Sequence, residues 1–125
     1  MIRPTIDASE AEILAFVREW VEFAANSGLS AALAELDQPE DSPWTEDQFT
    51  QLTLNHFSDG QSCTITSSKG IKGLRVEAYE YNDGSGFAVD HDLALNGERS
   101  DLTAQFDFRK GDAHYRVYLE AFHVL

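Results

Sequence analysis

Two histidines lead the side chains that could do chemistry. His91 keeps step with Phe87, Val89 and Leu93, and His123 keeps step with Tyr115, Val117, Leu119 and Ala121. Successive side chains of a strand point to opposite faces, so each histidine falls on the apolar face of its run. If both faces turn toward one interior, the two imidazoles line a shared pocket, where a ring beside a carboxylate is a general base near neutral pH. Phe16, Trp20, Phe87 and Phe106 are the aromatic walls expected of it. The plainer alternative is a core histidine whose ring is satisfied by a neighbour, or one at a strand end.

Other constellations are weaker. Asp90-His91-Asp92 invites a metal reading, but alternation sends the aspartates one way and the imidazole the other. Asp90 and Asp92, joined by Glu77 or Asp107, could hold a hard cation such as Mg²⁺ or Ca²⁺. A solvated face paired to Arg75, Arg109 and Arg116 is the preferred reading, and neither metal nor cofactor is expected. Cys63, the single cysteine, lies between Ser62 and Thr64 with no positive field to activate a thiol, and forms no internal disulfide. Gly84-Ser85-Gly86 reads as a turn. Ser68-Lys69-Gly70-Ile71-Lys72-Gly73 is the one locally basic stretch, read as a surface loop with anion contact as its alternative. Tyr79, Tyr81, Arg116 and Tyr118 occupy polar-face positions. Aromatics beside arginine there suit a homodimer contact through the sheet, or cross-strand pairs that stiffen it. No catalytic set emerges.

These residues need elements to position them. Ser9 and Glu12 form a capping-box pattern ahead of Ile13, Leu14, Phe16, Val17, Trp20, Val21 and Phe23, an apolar stripe at helical spacing that Asn26-Ser27-Gly28 ends. Ser30 to Leu36 is a short second helix, followed by a loop from Gln38 to Pro43. Thr45 and Gln48 open a third, with Phe49, Leu52 and Phe57 on its apolar face, and Ser58-Asp59-Gly60 breaks it. Trp44, before that cap, is a hydrophobic staple or a pocket lid. Beyond Gly60 the period changes to two. Runs at 63–66, 74–79, 87–95, 102–109 and 115–125 are separated by turn signals such as Asn82-Asp83-Gly84 and Asn96-Gly97. Short turns exclude parallel neighbours. The expected fold is α+β over one domain, 1–125: two or three N-terminal helices packed on one face of a curved, four- to five-stranded antiparallel sheet.

Charge limits the partners. The 125 residues carry 22 acidic against 9 basic side chains, a formal −13. Residues 1–60 hold 12 of the acids and only 2 of the bases, so they account for −10 and the remainder for −3. Such a field repels phosphate backbones and anionic membranes, so neither nucleic acid nor membrane is an expected partner. Glu10, Glu12, Glu19 and Glu22 on the first helix form the candidate surface for a basic protein, since complementary fields raise association rates. The first residues hold no apolar segment of a secretory signal, and the expected place is the cytoplasm.

A helical pair ahead of a long antiparallel sheet resembles the cystatin-like roll of the nuclear transport factor 2-like superfamily. The residues carrying the likeness are Ile13 to Phe23, Ser27 to Leu36 with its small-Gly-x-x-x-Ala-Leu pattern, and the closing run Tyr115 to Leu125, which is similar to the ends of small bacterial proteins. The resemblance implies a scaffold and no reaction, because no catalytic motif of the superfamily matches here. Two functions are expected in turn. The first is a non-catalytic binding or regulatory protein that docks its acidic helical half on a basic partner, as an immunity protein does on a toxin. The alternative is a small-molecule pocket, or an enzyme of the cyclase or isomerase kind, built on His91 and His123.

Overall fold

The computed structural model describes residues 1–39, 43–57 and 62–124. The expected helix stop at Ser58-Asp59-Gly60, the middle of the Gln38–Pro43 loop and Leu125 lie outside them. Three helices, α1 (Glu10–Ser27), α2 (Leu29–Ala34) and α3 (Glu46–His56), precede five strands. These are β1 (Ile65–Thr66), β2 (Val76–Glu80), β3 (Gly86–Leu95), β4 (Glu98–Lys110) and β5 (Tyr115–Val124).

Local chemistry sets the helix ends. The Ser9 hydroxyl accepts from Glu12 N, and the Glu12 carboxylate accepts from Ser9 N, so two orphan donors of α1 are satisfied together. Thr45 and Gln48 repeat the device at α3. Gly28, at φ 93°, ends α1 and starts α2 with no intervening loop. The second helix thus starts one residue before the expected Ser30, and it ends at Ala34, two residues short of Leu36. Ile13, Phe16, Val17, Trp20, Val21 and Ala24 form the buried stripe of α1. The Trp20 indole N–H donates to the Ala32 carbonyl at 2.7 Å, tying α1 to α2 where both are buried.

All pairings are antiparallel. The sheet runs β1-β3-β4-β5, and β2 pairs with the same edge of β3 farther along, opposite Phe87 to His91. Phe16 meets Phe108 edge-on with centroids 5.9 Å apart, and Trp20 meets Phe106 at 5.2 Å, so α1 lies across β4. Asp37 closes the outer side of β5: its backbone N–H donates to the Val117 carbonyl and its carboxylate accepts from Val117 N, both at 2.9 Å.

Two register shifts shape the sheet. Asp92 pairs with Thr103 but Ala94 pairs with Arg99, so β4 carries extra residues there, and Ser100 Oγ donates to the Leu93 carbonyl at 2.7 Å. On β5, Gln105 pairs with Ala121 and Phe106 with Leu119, which leaves Glu120 as a bulge. The indole N–H of Trp44 donates to the Glu120 carbonyl at 3.3 Å. The bulge corrects the reading of His123. Tyr115, Val117 and Leu119 are buried, but past Glu120 the parity reverses: Phe122 turns inward and His123 is exposed on the other face. Trp44 and Phe49 both pack edge-on against Phe122, at 5.1 and 4.9 Å.

Candidate functional site

His91 projects from β3 toward α1 and is 2% exposed. Its Nδ1 lies 2.6 Å from the Asp92 carbonyl oxygen. A carbonyl only accepts, so Nδ1 carries the proton and Nε2 keeps its lone pair when the ring is neutral. Burial pushes the ring's pKa down, and Arg18 pushes the same way; the Asp92 carbonyl and the charges of Asp92 and Glu22 oppose this without reversing it. Among the described residues no group bonds to Nε2.

His91 lines a cleft of about 330 Å³ with Arg18 and Glu22 of α1, Ser68, Lys69, Ile71 and Leu74 of the loop between β1 and β2, and Val76 of β2. Arg18 and Glu22 are one helical turn apart, so both side chains reach the same side of α1. Glu22 holds the loop in place: its carboxylate accepts from Ser67 Oγ at 2.5 Å and from Ser68 N at 2.9 Å. Partial burial raises the Glu22 pKa, but the Ser67 hydroxyl, the Ser68 N–H and the Lys69 charge outweigh it and leave the carboxyl below its ordinary value. Ser68 Oγ is buried and has no hydrogen-bond partner. Arg18 and Lys69 are exposed, and neither forms an ion pair among the described residues. The cleft thus joins two free cations, an engaged carboxylate, a buried unpartnered hydroxyl, a neutral imidazole and the apolar side chains of Ile71, Leu74 and Val76.

The other expected positions sort differently. His123 is not near this interior, so the two-histidine pocket does not form. Phe16, Trp20, Phe87 and Phe106 are buried against one another and against Phe108 and Tyr115. They fill the core and line no part of the cleft. On the outer face, alternation places Asp90 and Asp92 together as expected, but the Arg75 guanidinium fills the space between the carboxylates. It lies 3.2 Å from Asp90, 3.4 Å from Glu77 and 3.9 Å from Asp92. No group of residues fit to hold a metal occurs among the described residues.

Tyr79, 48% exposed, sits on β2 with its hydroxyl against Glu77. Tyr81 donates to Asp107 at 2.6 Å beneath the Arg109 guanidinium, 4.7 Å from the ring centroid. Burial and that hydrogen bond push its phenol up to about 12. Arg116 is exposed and Tyr118 half-buried on β5, at the opposite edge from β2. Glu10, Glu12 and Glu19 are exposed on α1, while Glu22 is committed to the loop. Among the described residues no helix is long and apolar enough to cross a membrane.

Sequence reasoning found His91 and named the Ser68 to Gly73 stretch, with anion contact as its alternative, but it did not join the two, and Arg18 was hidden among acidic residues. The available signal was the i, i+4 pair Arg18–Glu22 together with the one basic stretch after β1. A family model matches residues 9–125, described as a domain of unknown function, DUF7668. No curated protein and no solved structure matches the chain.

Proposed function

The chain belongs to the DUF7668 family, which carries no assigned activity, and we propose from the site itself that the protein is a non-catalytic small-molecule-binding module whose ligand occupies the His91 cleft. One observation carries this reading. A nearly fully buried imidazole and a buried, unpartnered Ser68 hydroxyl border the same cleft. Buried polar groups are normally satisfied, and leaving one unmade costs about 1–3 kcal/mol, so a ligand that bonds the Ser68 hydroxyl recovers that energy. The volume is at the lower end of ligand sites, which suits a small molecule. Ser68 Oγ forms no hydrogen bond to His91, so the cleft's hydroxyl is not activated as a nucleophile by its imidazole, and binding is favoured over catalysis. A fragment screen by two-dimensional NMR tests the reading. Shifts concentrated at His91, Ser68 and Val76 are expected; hits confined to other surfaces would end it.

A second reading rests on a different observation. Glu10, Glu12 and Glu19 form no ion pair among the described residues, so the acidic face of α1 is uncompensated and suits a basic protein partner. Reversing these three charges abolishes such binding and leaves the cleft untouched. The order of helices before an antiparallel sheet supports placing the chain near the nuclear transport factor 2-like superfamily.

A further inference from the structure

We infer that the ligand of the His91 cleft is a small carboxylic acid bearing a hydrogen-bond donor, such as a hydroxyl, and a short apolar body; this rests on the binding reading above and names its chemical class. The charge of the site points to an anion. In a chain of net −13, Arg18 and Lys69 both line the cleft, and neither forms an ion pair among the described residues. The one carboxylate at the rim, Glu22, has its oxygens on Ser67 Oγ and Ser68 N, so its lone pairs are engaged by the protein itself. The two cations are left for an incoming carboxylate, and a guanidinium bonds one through two parallel N–H groups.

The inner end of the site asks for the opposite polarity. His91 Nδ1 is held as a donor by the Asp92 carbonyl, so Nε2 of the neutral ring can only accept. A ligand hydroxyl or amide N–H satisfies it, and the Ser68 hydroxyl adapts as donor or acceptor. Ile71, Leu74 and Val76 take the apolar portion. A volume of about 330 Å³ corresponds to about eleven water volumes, room for an acid of about ten heavy atoms. The parts come from α1, the loop between β1 and β2, β2 and β3, and the Glu22 anchor that fixes the loop also decides where Lys69 stands.

The probes are matched triples built on mandelate, 2-hydroxyisocaproate and 3-hydroxybutyrate. Each triple consists of the hydroxy acid, its deoxy acid and its methyl ester, titrated into the full chain and followed by NMR. At least one hydroxy acid is expected to shift His91 and Ser68 and to bind about tenfold more tightly than both of its analogues, a gap of about 1.4 kcal/mol. Arg18→Ala, at an exposed position, is expected to weaken the acid about tenfold, leave the ester unchanged and be rescued in part by Arg18→Lys. Esters or deoxy acids that bind the cleft as well as the hydroxy acids overturn the ligand class and leave the site standing. If no compound perturbs His91 or Ser68, both the class and the binding site fail.

Discussion

Replacing His91 by asparagine isolates the electrostatics of the site. Asparagine carries an amide N–H close to where the ring carries Nδ1, so the bond to the Asp92 carbonyl survives while the titrating group is removed. In the native protein burial holds the ring's pKa below its ordinary value of 6.5, and an unfolded chain releases it to that value. The unfolded state therefore binds more protons at acid pH. Stability tied to the neutral ring is fully present above about pH 6.5 and is lost as the pH falls below it. If the folded ring stays neutral, the loss is RT ln(1 + 10^(6.5 − pH)), about 0.1 kcal/mol at about pH 7.5 and about 1.4 kcal/mol at about pH 5.5. Urea melts of the native protein and of His91→Asn at both pH values provide the assay. His56, His114, His123 and the carboxylates are common to both proteins and cancel. The native protein is expected to lose more than the variant on acidification, by at most about 1.3 kcal/mol. Parallel profiles would refute the buried neutral imidazole. A native protein that gains on the variant would mean that Glu22 and Asp92 hold the ring charged.

Three further outcomes follow from the geometry. A methyl group at Gly86 would stand 1.7 Å from the Phe108 carbonyl oxygen, so Gly86→Ala must force β3 and β4 apart; a loss of about 2–4 kcal/mol is expected in a urea melt, and a change below about 0.5 kcal/mol contradicts the packing. The Tyr81 phenol ionises at about 12, and Asp107→Asn lowers this toward the ordinary 10.0, read from ring-carbon NMR. The stability linked to it is present below about pH 10 and lost as the pH rises through about 12. Asp37→Ala removes the acceptor of Val117 N; a loss of about 1–2 kcal/mol and faster amide exchange at Val117 are expected, whereas unchanged exchange shows the bond to be idle.

The helices and the sheet were legible because their signals are local. Both capping boxes lie within four consecutive residues, and the strands alternate between turn residues that set their ends. His91 was legible for the same reason, since no bulge intervenes between Phe87 and Asp92 in its pairing with β4. His123 was not. Its orientation depends on the extra residue Glu120, and that bulge is bonded by Trp44, 76 positions away in sequence. The aromatic walls failed for a related reason: alternation tells which residues face inward but not whether they meet a neighbour or a void. Phe16, Trp20, Phe87 and Phe106 meet neighbours. The cleft instead arises where α1 passes a loop that Glu22 pins, and a contact spanning 45 positions has no periodic trace.

The pairing of Asp37 with Val117 bears on how copies of this chain can meet. An outer strand with free backbone groups is a template onto which another chain can zip, and β5 is long and apolar on its inner face. One residue from the segment after α2 occupies the hydrogen-bonding groups of Val117 with its own backbone and side chain. Growth of the sheet by strand addition at this point must first evict Asp37, so fibril-like stacking through β5 meets a barrier near its start. Any symmetric pairing of two copies is steered instead to the outer face or to the opposite edge. Loss of Asp37 should therefore show itself in storage and concentration behaviour as much as in melting.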